Sequence, residues 1–163
     1  ICSGLHAVIK SGLLPYGNIE GLNEASPTLF RNNINRHVSH IATTKVTSNK
    51  SPWLSSFTPN DCHSIAMSHG EGKFVVSEEV AKELFENGQV ATQYVDLEGN
   101  PTMDGTYNIN GSYYAIEGIT SKDGRILGKM GHSERYEDGL FKNIDGNKLQ
   151  NIFENGVNYF KNK

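Results

Sequence analysis

Apolar and polar positions change period several times along the chain, and each change marks an element. Leu5, Val8, Ile9 and Leu13 recur at three- and four-residue spacing, which predicts a helix over residues 3–13 with Gly12 near its end. Residues 36–47, "RHVSHIATTKVT", alternate and are rich in β-branched side chains, so they predict a strand. "SPWLSSF", 51–57, reads as a short helical turn with Pro52 at its first position. "CHSIAMS", 62–68, predicts a buried strand that runs into "HGEG", 69–72, and "GKFVVS" a further short strand. Ser77 is placed to cap a helix over 78–87, with Glu78 and Glu79 at its positive end and Gly88 closing it. "QVATQYVDL", 89–97, predicts a strand followed by the turn "EGNP", and "YYAIEGIT" with "RILGKM" a hairpin across "SKDG". Leu149, Ile152, Phe153, Val157 and Phe160 predict an amphipathic C-terminal helix. Mixed helices and strands with no repeat or low-complexity linker place the chain in the α/β or α+β class.

Composition narrows this only a little. The 163 residues suffice for one domain, and 36% apolar with 20% charged residues is usual for a globular protein. A net charge of −3 leaves no basic footprint for nucleic acid, and no apolar run approaches the ~20 residues that span a bilayer. Cys2 and Cys62 make no disulfide framework, which predicts a reducing, cytoplasmic setting. The first residue is Ile, so the chain is expected to be processed or cut from something longer.

The candidate chemistry lies in a thiol and two H-x-E pairs. An isolated cysteine is most often a small buried apolar residue. Cys2, however, precedes a helix, where unpaired amides and the dipole favour a thiolate. Gly4 is expected to allow close packing at a sharp strand-to-helix turn. In "GHSER", His132 and Glu134 lie two positions apart at the end of a predicted strand, so both side chains point to one side. A carboxylate there can orient and stabilise a protonated imidazole. "HGEG" offers His69 and Glu71 at the same spacing, and spacing cannot choose between the pairs. A metal site is the rival use of such residues. His37 and His40 would face opposite sides of a strand, and no C-x-x-C or H-E-x-x-H spacing occurs, so no metal is expected. No phosphate-cradling glycine loop is present either.

Taken together, "ICSGL" resembles the G-x-C-x-G elbow of class I glutamine amidotransferases, and "GHSER" their H-x-E partner. The stretches 68–74, 88–102, 115–135 and 147–160 resemble the C-terminal glutaminase domain of phosphoribosylformylglycinamidine synthase, in its long single-chain form. The resemblance implies an α/β, flavodoxin-like three-layer fold over residues 1–163, with a mostly parallel sheet and helices on both faces. It implies that Cys2 is the nucleophile, His132 the acid–base and Glu134 its orienting carboxylate. Ser3, His6, His69 and Glu71 are expected at the glutamine pocket or the domain interface. It further implies a partner synthetase domain that uses ATP and magnesium to aminate formylglycinamide ribonucleotide. Many relatives carry glutamine four residues after the nucleophile, where this chain has His6. The family's opening strands and oxyanion loop are expected to lie outside the chain. One donor of that kind is worth about 2.7–4 kcal/mol. A catalytically silent scaffold is therefore the alternative. A papain-like peptidase would share the Cys/His chemistry, but its C-G-[SA]-C-[WY] elbow is missing.

Overall fold

The computed structural model describes residues 1–162, so Lys163, the last residue of the domain expected over 1–163, lies outside the described residues. The helices are α1 (Ser3–Lys10), α2 (Leu13–Tyr16), α3 (Glu78–Glu86) and α4 (Ile152–Lys161). The strands are β1 (Thr28–Phe30), β2 (Val38–Val46), β3 (Cys62–His69), β4 (Lys73–Val75), β5 (Val90–Tyr94), β6 (Ile116–Thr120) and β7 (Leu127–Lys129). A five-stranded sheet has the order β3-β2-β5-β6-β7, and β1 and β4 form a separate two-stranded ribbon. No helix among the described residues is long and apolar enough to cross a membrane.

The α/β class holds, but the direction of the strands differs from expectation. Every pairing in the main sheet is antiparallel rather than mostly parallel. The reason lies in what the connections contain. β2 returns as β3, and β6 as β7, through links with no crossover helix, and a parallel neighbour needs such a crossover. Among the described residues the only α-helix between strands, α3, follows β4 of the small ribbon.

Alternation along the strands divides the core into two faces. Val90, Tyr94, Ile116, Ile119, Ile65 and Met67 pack with Leu5, Ile9, Leu14 and the α3 residues Ala81 and Leu84. On the other face Ala91 and Leu127 meet Leu54, Ile152, Trp53 and Ile1. α1 seats closely on β7: a Cβ at Gly128 would fall 2.5 Å from Leu5 Cδ1 and 2.6 Å from Leu14 Cδ1. The close approach expected at Gly4 is not there, because a Cβ at Gly4 would meet nothing within 4 Å.

Local signals account for most boundaries. The Ser77 hydroxyl accepts from the Val80 amide at 3.3 Å and starts α3, and Gly88 at φ 67° lets the chain leave it. The 121–124 turn closes the β6–β7 hairpin with Gly124 at φ 76°. Residues 113–115 are a 3-10 turn instead of the first part of that strand, since Tyr114 and Ala115 adopt positive φ. The stripe expected to anchor the C-terminal helix also behaves differently. α4 buries Ile152, Asn155 and Gly156 against the Pro52–Leu54 turn, while Phe153, Val157 and Phe160 remain 50%, 51% and 55% exposed. That short turn is the main support beneath the helix, and it contacts one side of it.

Candidate active site at the β3 and β7 ends

Cys2 sits at the N-terminal cap of α1 with φ 52° and ψ −111°. Few non-glycine residues adopt this backbone, and holding it costs roughly 1–3 kcal/mol. The surrounding bonds enforce it. The Cys2 amide donates to the Lys129 carbonyl on β7 at 2.8 Å, and its own carbonyl accepts from the Leu5 amide at 2.9 Å. The sharp turn presents Sγ 3.6 Å from the Ser68 carbonyl on β3. The Gly4 and Leu5 amides are taken by the Ile1 and Cys2 carbonyls at 2.9 Å each, which leaves the Ser3 amide as the donor of the first turn.

His132 approaches the same strand from β7. Its amide donates to the Ala66 carbonyl at 2.8 Å, two residues before Ser68. Two residues of strand span roughly 6.6 Å, so the Cys2 thiol and the His132 backbone attach to neighbouring outward carbonyls of β3, Ser68 and Ala66. His132 Nδ1 donates to Glu134 Oε1 at 2.5 Å. Strand alternation does not produce this contact. Residues 132–135 form a turn, closed by the Arg135 amide on the His132 carbonyl at 3.1 Å, and the turn folds Glu134 back onto the ring. Burial opposes ionisation of Glu134, but the hydrogen bonds from His132 and its own backbone, with the nearby charges, hold the carboxyl below its usual range. With Nδ1 committed, Nε2 is left buried and without a hydrogen-bond partner among the described residues.

The second H-x-E pair is built otherwise. His69 is 5% exposed, and neither ring nitrogen finds a partner among the described residues. Its ring lies over Gly72, where a Cβ would come within 2.4 Å of Cε1, so the glycine is what admits the imidazole. Glu71 is exposed, and its backbone rather than its carboxylate makes the local contact: the Glu71 carbonyl accepts from His6 Nε2 at 2.5 Å. A carbonyl cannot donate, so the proton is on His6 Nε2. Cys2, Ser3, His6, His69 and Glu71 line one open cleft of about 440 Å³ with Ser68 and His37. His132 lies beside that cleft, near enough that its charge disfavours protonation of His69. His37 Nε2 reaches the Ser68 hydroxyl at 3.2 Å, and among the described residues no three His, Cys, Asp or Glu side chains converge as ligands.

Two sets of supporting residues escape the sequence reading. Asn32 staples the 69–72 loop, donating to the His69 carbonyl at 2.8 Å and accepting from the Gly72 amide at 2.9 Å, while Asn110 donates to the Gly72 carbonyl at 2.8 Å. Nothing in the local sequence marks these asparagines. Glu117 and Lys129 form a buried ion pair at 4.0 Å beneath the 129–133 segment. Their signal is legible afterwards: each is a lone charge in a short apolar strand, "AIEGIT" and "ILGKM".

An α/β domain with a thiol at a positive-φ elbow under a helix start, beside a bonded His–Glu pair, defines a class of triad-type amidotransferase domains. Residues 1–160 match the CobB/CobQ-like glutamine amidotransferase domain, and the chain belongs to that family. Among curated proteins it is similar to the phosphoribosylformylglycinamidine synthase subunit PurQ of Chlorobaculum parvum, 34% identical over 149 residues. That match covers 91% of this chain and 54% of the relative. The same subunit of Gloeobacter violaceus is 33% identical over 91% of this chain and 59% of its own length. The chain thus spans little more than half the length of these relatives. A solved PurLQS structure from Thermotoga maritima matches with a TM-score of 0.66 at 22% identity, covering 96% of this chain and 58% of that one. At that identity the likeness bears on the fold.

Burial holds His69 down to about 4, aided by the charges of His37 and His132 and opposed by Glu117. The unfolded chain therefore binds more protons between that value and the ordinary ~6.5. Stability is full above about pH 6.5 and declines as pH falls toward 4, by up to about 3 kcal/mol from this residue. Urea unfolding at neutral and mildly acidic pH is expected to show that His69→Gln removes much of this decline. An equal acid sensitivity in wild type and variant would contradict the assignment.

Proposed function

We propose that this domain hydrolyses glutamine through Cys2, His132 and Glu134 and supplies the ammonia to a synthetase that makes phosphoribosylformylglycinamidine in purine biosynthesis. The observation that carries the reading is the placement of the strained Cys2 elbow and the Glu134-bound His132 on adjacent positions of β3. Family membership and the names of the PurQ relatives support it.

The Cys2 thiolate attacks the side-chain amide carbon of glutamine, and the carbonyl oxygen becomes a tetrahedral oxyanion. The Ser3 amide donates to that oxygen. By the resemblance, a second donor comes from a glycine-rich loop ahead of the elbow. Glu134 holds the Nδ1–H tautomer, so the proton on His132 Nε2 passes to the departing ammonia. The same nitrogen then takes a proton from water as it attacks the thioester, releasing glutamate and the thiol. His69, kept neutral by burial, and the exposed Ser3 and Glu71 line the cleft around the substrate. His6 spends its Nε2 proton on the Glu71 carbonyl, so in place of the usual glutamine it braces the 69–72 loop and shapes the pocket.

No metal takes part in these steps. ATP and magnesium serve the synthetase, which aminates formylglycinamide ribonucleotide. The stretches 68–74, 88–102, 115–135 and 147–160 favour the long form, with the synthetase on the same polypeptide, whereas the relatives named above are separate subunits. A denaturing gel of the natural protein separates the two: the long form predicts that the synthetase and this domain migrate as one chain, and two bands would contradict it. A free thiol nucleophile suits a reducing, cytoplasmic compartment.

Cys2→Ala is expected to abolish glutamine-dependent synthesis in the complete enzyme while ammonia-dependent synthesis survives. His132→Ala is expected to cost more activity than His69→Ala. Steady-state assays with glutamine and with ammonia check both. An identical glutaminase rate in wild type and Cys2→Ala would instead identify a silent scaffold, and the reverse order of the histidine variants would exchange the roles of the two H-x-E pairs.

A further inference from the structure

The reaction above makes no use of the most deeply buried charges in the molecule. Lys129 and Glu117 side chains are 1% and 0% exposed and lie 4.0 Å apart, on facing strands β7 and β6. We propose that this pair is a positioning device for the reaction: it clamps the segment carrying His132 from both sides and keeps it in register with Cys2. The inference rests on the glutaminase reading.

The hydrogen bonds point that way. Glu117 Oε1 accepts from the Gly131 amide at 2.6 Å, and Oε2 accepts from the Thr92 hydroxyl on β5. Lys129 Nζ donates to the Ser133 hydroxyl at 2.9 Å and to Gln150 Oε1 at 2.6 Å. The Ser133 hydroxyl in turn donates to Gln150 Oε1 at 2.7 Å. The residue before His132 is therefore tied to the carboxylate, and the residue after it to the ammonium. The third tie is the main chain of Lys129 itself, whose carbonyl receives the Cys2 amide at 2.8 Å. A rotation or slide of β7 would move Cys2 and His132 by different amounts against Ser68 and Ala66 of β3, and the ion pair resists it. Gln150 links the clamp to the segment leading into α4, and its amide nitrogen approaches His63 Nδ1 on β3 at 3.5 Å.

Packing alone does not call for this arrangement. Two apolar side chains of similar volume would fill the same space without desolvating two charges, and such replacements are often neutral or stabilising. Fixed dipoles and charges do restrict a segment to one geometry, which apolar contacts enforce less well. The chemistry needs that restriction, since displacement of a reacting group by 1 Å can cost about 10²-fold in rate.

The test uses the complete enzyme with its synthetase. Lys129→Met, Glu117→Gln and the double variant Lys129→Met/Glu117→Leu are compared for kcat and KM with glutamine, ammonia-dependent synthesis and melting temperature. The proposal expects kcat to fall roughly 10- to 100-fold in each, with KM for glutamine within about two-fold and ammonia-dependent synthesis unchanged. The double variant, free of an unpaired buried charge, is expected to recover the melting temperature but not kcat. A double variant with wild-type kcat would reduce the pair to packing and overturn the proposal. Ser133→Ala removes one tie and leaves the ion pair, so it remains informative if the other variants fail to fold. It is expected to lower kcat several-fold at unchanged KM, and an unchanged kcat would likewise overturn the proposal. Cys2→Ala run alongside separates the two claims. If it keeps the glutaminase rate, the functional reading fails. If it loses the rate while the clamp variants keep theirs, only the positioning role fails.

Discussion

The backbone bond from the Cys2 amide to the Lys129 carbonyl is the constraint on which the rest of the site depends. It joins the start of α1 to the last residue of β7 and leaves residue 2 at positive φ. From that one attachment follow the start of α1 at Ser3 and the placement of Sγ against β3. The departure of residues 130–135 toward Ala66 begins at the same point. A side chain at 128 would push α1 away through Leu5 and Leu14, so the glycine there protects the same junction.

The two H-x-E pairs show how one spacing produces two structures. His132 and Glu134 bond because a turn reverses the chain between them. His69 and Glu71 do not, because the 69–72 loop is pulled elsewhere by Asn32, Asn110 and His6. A charged partner holds one imidazole in a defined tautomer. Desolvation keeps the other neutral. One histidine beside the cleft thus has a carboxylate partner, and the one that lines it is held neutral.

Much of the architecture was readable from local signals. The Ser77 cap, the Pro52 turn, the 62–69 strand and the "SKDG" hairpin all form where periodicity and turn chemistry place them. The Cys2 and His132 candidates also come from local pattern. Non-local matters were not readable. The antiparallel order of the sheet depends on which strands meet, and the three-residue β1 is too short to show a period. The half-exposed Phe153, Val157 and Phe160 were expected to be buried, because amphipathic spacing reports a face but not whether anything covers it. Glu117 and Lys129 carry no clear local signal, because a single charge in an apolar strand points to a buried pair only once its partner strand is known.

The central claim is that glutamine passes through a covalent thioester on Cys2. Mass spectrometry of the complete enzyme, acid-quenched during turnover with glutamine and then digested, addresses it most directly. A glutamyl adduct on the peptide that contains Cys2, absent without glutamine, is the predicted result. An enzyme that turns over glutamine with no adduct there, or with the adduct on the peptide containing Cys62, would contradict the account.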